Sequence, residues 1–311
     1  MLSSDFIRLN KTNCVSNYIL IKMSIKKHLR SSIIRISTII LLFLFACADA
    51  QTHRFIYEYR FVPDSTKADR IITENTRLEI FRAHSEFVSD LNALRDSVIL
   101  SEANKGNNSD DTAPSGKFNS KIWKGKTKVY TTESIGIERF KVINDRELRW
   151  EISSDIETIQ GYHCQKATLT YGARKWIAWF TREITIPDGP HIFRQLPGLI
   201  VKVTDLRNHH SFLLIANYQT FNQISYFKEE PLRKTYEVNR QQFNKKWNAF
   251  RANPIGGTEQ FMLMNPQISS RQSYDSQGNE RNMDEVRMEE RKQAQKRVND
   301  FNNFIDLELY R

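Results

Sequence analysis

Trp176-Ile-Ala-Trp179-Phe180-Thr-Arg182-Glu-Ile-Thr-Ile-Pro187-Asp188-Gly189-Pro190-His191-Ile-Phe-Arg-Gln195-Leu196-Pro197-Gly198-Leu199-Ile200-Val-Lys-Val203 reads as two apolar strands joined by a Pro/Gly-dense loop. No other stretch packs two Trp, three Pro and two Gly into so few residues. Pro fixes φ and Gly admits the left-handed region, so such a loop makes a defined corner rather than a slack connection. An aromatic strand, a rigid corner and a second apolar strand set the expectation of a sheet-built protein.

The neighbouring sequence repeats that grammar. Upstream, His163–Tyr171 and Arg174–Phe180 flank Gly172-Ala173 as a short hairpin. Downstream, Leu199–Thr204 and Ser211–Phe221 flank the polar turn Asp205–His210. Arg54–Phe61 alternates cleanly, with Phe55, Tyr57, Tyr59 and Phe61 on one face and Arg54, Glu58 and Arg60 on the other. Further strands are expected at Arg77–Phe81, Glu86–Ser89, Lys128–Thr131, Ile137–Ile143 and Glu147–Ile152, where Leu148, Trp150 and Ile152 share a face. Residues 104–117 are all loop formers. About eight to ten closely spaced strands without alternating helices point to an antiparallel sheet.

Helices enter at two ends of this region. Asp90–Leu100 places Leu91, Leu94, Val98 and Ile99 at helical spacing. Asn239–Ala252 carries Phe243, Trp247 and Phe250 at i, i+4 and i+7 and stops before Pro254. Residues 256–281 read as an irregular linker. Asn282 with Glu285 resembles a capping box opening an amphipathic helix over 282–311, striped by Ala294, Val298, Phe301, Ile305 and Leu309.

The run Asp188-Gly-Pro-His-Ile-Phe-Arg-Gln-Leu-Pro-Gly-Leu-Ile-Val201 resembles the signature of the GLPGLI family, exported proteins of Gram-negative envelopes with no established activity. Ile159–Thr168, Trp176–Pro187, the Phe55–Phe61 strand and Ser85–Ser89 are similar to the family's other elements, so the resemblance spans roughly 52–255. The motif's first Gly is Gln195 here; a φ > 0 at that position strains Gln.

Export is expected from the sequence itself. Lys26, Lys27, Arg30 and Arg35 precede the apolar run Ile36–Ala48, and Ala48-Asp49-Ala50 gives a small-x-small cleavage signature before Gln51. Met23 is the natural start of such a leader. Leu44-Phe-Ala-Cys47 loosely resembles a lipoprotein box, so an acylated Cys47 is the competing outcome. The run is too short for a membrane-spanning helix, and no transmembrane segment is expected in the mature chain. Residues 1–50 take 7 of the 46 basic and 2 of the 36 acidic residues, leaving a net charge of +5 on the mature chain. Those charges are interspersed, which argues against nucleic acid as a partner. One mature cysteine, Cys164, excludes an internal disulfide framework.

No catalytic constellation emerges. Cys164 and His163 are strand neighbours pointing to opposite faces, and no Gly-x-Ser-x-Gly elbow exists. His163, His191 and His209-His210 lack metal-ligand spacing, and Asp188 and Asp205 are turn carboxylates, so neither metal nor cofactor is expected. The central loop has two readings. As a brace, Gly189, Pro190, Leu196, Pro197, Gly198, Leu199 and Ile200 plug a sheet end. As a site, the loop frames an apolar cavity lined by Trp150, Trp176, Trp179 and Phe180.

The expected protein is one α+β domain, a long curled antiparallel sheet comparable with the open half-barrel of lipoprotein carriers, with the 239–252 helix as lid. Its expected role is a non-enzymatic binding protein for an apolar or peptide-like ligand, in the periplasm, at the outer membrane or secreted. The alternative is an interaction protein docking an outer-membrane protein assembly.

Overall fold

The computed structural model describes residues 52–104, 115–136, 138–221, 225, 234–265, 274 and 277–311. The expected leader, with Met23, Cys47 and the cleavage site, and most of the 104–117 loop lie outside the described residues. Gln51–Arg311 form one compact unit.

Twelve strands are described, β1 (Thr52–Phe61), β2 (Ile72–Ile80), β3 (His84–Ser89), β4 (Lys121–Gly125), β5 (Val129–Ile135), β6 (Glu138–Asn144), β7 (Glu151–Ile159), β8 (Tyr162–Tyr171), β9 (Arg174–Thr181), β10 (Leu199–Asp205), β11 (His210–Thr220) and β12 (Thr235–Val238). They build one open sheet in the order β12-β6-β5-β4-β3-β2-β1-β11-β10-β9-β8-β7. Every pairing is antiparallel except β12 beside β6. Four helices are found among the described residues: α1 (Asp90–Asn104), α2 (Arg240–Ala252), α3 (Gly256–Met264) and α4 (Met283–Asp300). The fold is α+β with an open sheet. None of these helices is long and apolar enough to cross a membrane.

The chain's first described strand is the sheet's centre. β1 pairs with β2 on one side and β11 on the other, and Phe55, Tyr57, Tyr59 and Phe61 all point into the core. Tyr59 stacks on Phe212 of β11 at 4.1 Å between ring centroids. At the β8–β9 connection Gly172 and Ala173 both hold φ near +60° (60° and 59°), the mirror-image turn that matches strand twist.

Several elements depart from expectation. Glu147–Ile152 is not a strand beside β6: β7 begins at Glu151, and β6 lies between β5 and β12. Leu148 and Trp150 turn toward the core, whereas Ile152 is 47% exposed. The cause is the Trp150 indole, whose Nε1 donates to the Arg194 carbonyl at 2.9 Å and ties this irregular segment to the central loop. Helix α1 turns Leu91, Leu94 and Val98 outward and buries Asn92, Ala93 and Asp96. Asn92 brackets the chain by donating to Phe118 O and accepting from Gly116 N, both at 2.9 Å, and Lys121 meets Asp96 at 2.5 Å. Polar ties set that face, not the apolar stripe.

Residues 256–264 form a helix rather than linker, and the final helix stops at Asp300. Ile305 and Leu309, expected on its stripe, lie in an irregular segment over 301–311 that is built into the core. Domain limits at 255 and 282 therefore do not separate independent packing units.

Candidate functional site

The central loop crosses the core face of the sheet and is fastened on both sides. Its own turns are closed by Phe193 N to Pro190 O at 3.1 Å and Gln195 N to Pro187 O at 3.0 Å. Leu199 N reaches Ile184 O and Ile200 N reaches Asp188 O at 3.1 and 3.0 Å. Asp188 accepts from Lys124 of β4, from Ser85 of β3 at 2.5 Å and from its neighbour's Gly189 N at 2.7 Å. The fully buried Lys124 ammonium also donates to Gly189 O at 2.6 Å. Burial lowers its pKa, and Asp188 opposes that shift. Tyr57 of β1 donates to Ile200 O at 2.8 Å, and Arg194 donates to Gly125 O at 2.7 Å.

Three loop positions, His191, Gln195 and Gly198, carry left-handed backbone. Gly198 has φ +146°, and a Cβ there would lie inside the Thr181 carbonyl, 2.7 Å from its carbon. Gln195 has φ +74° with its side chain exposed, so a residue with a β-carbon occupies a conformation that Gly would hold without strain. Gly189, Pro190, Leu196, Leu199 and Ile200 are buried, and Pro197 is exposed.

The four aromatic residues expected to line one cavity are not brought together. Trp176 and Phe180 are fully buried in the filled core, where Phe193 packs 4.7 Å from the Trp176 ring. Trp179 alternates to the other face of β9, half-buried beneath the Lys166 ammonium. Trp150 is held at the loop by Arg194 O. Cys164 is wholly buried, and burial raises its thiol to about 11.

A cavity exists elsewhere. About 740 Å³ of space lies between the sheet and the C-terminal elements. Its floor comes from β1, β5, β6, β8 and β11, its roof from α2, α4 and residues 303–310, and the loop contributes His191. Helix α2 is set by a complete capping box, in which Asn239 Oδ1 and Gln242 Oε1 each accept from the other's backbone at 2.9 Å. Its buried Phe243 and Trp247 then face the sheet, as their spacing predicts.

The wall is apolar with a polar seam. Asp306 accepts from Tyr171 at 3.0 Å and pairs with Arg240 at 2.6 Å. Tyr171 accepts in turn from Asn144 Nδ2 at 2.8 Å. Glu133 accepts from Ser120 at 2.8 Å, and burial pushes its carboxyl up to about 7 against that bond and another from Tyr310. Burial holds His191 down at about 3 and His210 well below its ordinary value, so both imidazoles are neutral. Trp247 Nε1, His191 Nδ1, His210 Nε2 and Arg240 Nη2 find no hydrogen-bond partner among the described residues. Unused hydrogen-bonding capacity in an apolar wall is what a ligand's polar atoms complete. No group of three or more His, Cys, Asp or Glu among the described residues could hold a metal.

Sequence reasoning placed Trp247 and Phe250 on a lid but missed Glu133, Asp306 and Tyr310. The signal lay in Asn302-Asn303, a helix stop after Phe301, followed by the apolar-rich Phe304–Tyr310.

No protein-family model matches the chain, and no curated protein does. Two solved structures of PNGF-II are similar over 63% of this chain, at 13% and 14% identity with TM-scores of 0.44 and 0.42. The chain spans about a third of that protein's length, 33% and 32%. An uncharacterized conserved protein from Thermus thermophilus aligns over 65% of this chain and 98% of its own, at 6% identity and a TM-score of 0.32.

Proposed function

We propose that this chain is an exported envelope protein of the GLPGLI family that binds an apolar or peptide-like ligand between its sheet and its C-terminal elements, without catalysing a reaction on it. The 740 Å³ cavity carries this reading. Its size lies within the range of small-molecule sites, and its wall combines aromatic surface with a few convergent polar groups. The accompanying shape is a sheet curled into an open half-barrel. The Asn144–Tyr171 bond supports it: β6 and β8 stand nine places apart in the strand order, about 43 Å in a flat sheet. On this reading the central loop is the brace that holds the curl, and only His191 of it touches the ligand space.

Native mass spectrometry of the full chain purified from its own envelope tests the proposal. The expected spectrum carries a bound small molecule, and Ala294→Trp, which fills the cavity from α4, removes it. An unliganded mass for both proteins would refute the binding role. A second reading, docking to an outer-membrane partner, is favoured by Leu263 and Met264 on α3 and Met288 on α4, exposed at 80%, 71% and 72%. Co-purification of a partner lost on Leu263→Ser/Met288→Ser, with no small molecule bound, would favour it.

A further inference from the structure

Resting on the cavity reading, we infer that the ligand is a single-chain amphiphile with an anionic head, of the fatty-acid kind. The inference comes from the charges that border the cavity. Five ionisable residues that carry full charge or a carboxyl line it: Lys117, Glu133, Arg240, Arg297 and Asp306. Arg240 and Asp306 neutralise one another at 2.6 Å. Glu133 is engaged by Ser120, and burial raises its carboxyl to about 7, so near neutrality it carries only part of a charge. His191 and His210, the two imidazoles of the wall, are neutral.

Two cations remain. Lys117 and Arg297 are both exposed, and neither forms a side-chain ion pair within 4.0 Å among the described residues, although Glu74, which accepts from Lys117 N at 3.1 Å, feels the Lys117 charge. They come from opposite sides, Lys117 from the segment leading into β4 and Arg297 from the last turns of α4. The space they border is lined below by Phe61, Phe118, Trp247, Phe250, Phe304 and Tyr310. An aromatic interior bordered by two exposed cations against the single carboxylate Glu74, a net positive rim, suits a ligand whose apolar chain is buried while its head stays wet. A cationic head would meet net like charge, and an uncharged head would gain nothing from it.

Trp247 supplies the reporter, because it stands in the cavity wall while Trp176 is in the filled core and Trp150 is tied at the loop. Bromine atoms quench indole fluorescence on contact, so 9,10-dibromostearate and the matching dibromostearyl alcohol are titrated into the full chain below their aggregation limits. The carboxylate should quench, and the quench should vanish in Trp247→Phe, where the reporter is gone. Two partly exposed ion pairs amount to about a tenfold preference for acid over alcohol. That preference should fall toward unity in Lys117→Gln/Arg297→Gln and on raising salt, since exposed pairs are screened. Equal affinity for acid and alcohol in the unsubstituted chain overturns the anionic head and leaves the cavity reading standing. Absence of quenching by either probe overturns the inference, and the native mass spectrum then decides the cavity reading. Quenching that persists in Trp247→Phe places the amphiphile elsewhere on the molecule and overturns the inference.

Discussion

Gly198→Val separates a brace from a binding loop. Gly198 sits at φ +146°, where a residue with a β-carbon carries about 1–3 kcal/mol of backbone strain. The added Cβ would also lie 2.7 Å from the Thr181 carbonyl carbon and 3.2 Å from Arg182 Cα. Both are backbone atoms of the strand end that pairs with Leu199, so no side-chain rotation relieves them. Overpacking of a closed site costs a further 1–3 kcal/mol or so, giving a total of roughly 2–6 kcal/mol. For a chain of this size each kcal/mol moves Tm by about 2–4 °C, so a fall of at least about 4 °C is expected. The assay is thermal denaturation followed by circular dichroism, run beside the dibromostearate titration at a temperature where both proteins are folded. Loss of stability with binding intact in the folded fraction fits the brace. A variant melting within about 2 °C of the original would refute the packing argument, and loss of binding in such a variant would make the loop itself the site.

Gln195→Gly should stabilise the protein by about 0.5–1 kcal/mol, because relief of left-handed strain outweighs the added chain entropy of Gly; a lower urea midpoint would contradict this. Glu133 gives a pH signature. Its folded pKa of about 7 stands above the ordinary 4.5, so its contribution is fully present below about pH 4.5, declines as pH rises and is lost above about pH 7. That decline amounts to at most about 3 kcal/mol, and Glu133→Gln should abolish it; parallel stability–pH curves for the two proteins from pH 5 to 8 would show that the carboxyl is not held protonated. Asn303→Ala should cost about 2–3 kcal/mol, since Asn303 donates to Val62 O at 2.7 Å and accepts from the buried Arg174, whereas Asn299→Ala on exposed α4 should cost almost nothing; equal effects measured by urea unfolding would mean that residues 301–311 are not part of the packed core.

What could be read from the sequence was local. The alternation of Phe55, Tyr57, Tyr59 and Phe61 marks β1, and the 243/247/250 spacing with Asn239 marks α2, because each pattern is completed within a few residues. The Pro/Gly corner was legible for the same reason. β12 escaped notice: four residues are too short for a period to show, and its parallel partner β6 lies nearly a hundred residues back. The cavity was out of reach in a different way. Tyr59, Glu133, Tyr171, His191, Arg240 and Tyr310 meet only because the strand order places β1 in the middle and the last residues return across the sheet. The aromatic density around Trp176 pointed instead to the place where the core is already full. For the Glu147–Ile152 segment, alternation was present in the sequence, yet one indole-to-carbonyl bond outweighed it.

The central position of β1 fixes the order in which the molecule can be assembled. Tyr59 bonds a histidine 151 residues further on, and Val62 accepts from an asparagine 241 residues away. As the chain emerges N-terminus first, β1 pairs early with β2 but keeps an open edge until β11 has been made. An aromatic strand with an unsatisfied edge is a template for pairing with other chains, and contacts this distant in sequence close slowly. The roof of the cavity forms later still, when residues 303–310 reach the sheet. During that interval the aromatic floor stands uncovered, the kind of exposed apolar surface on which partly folded chains associate with one another.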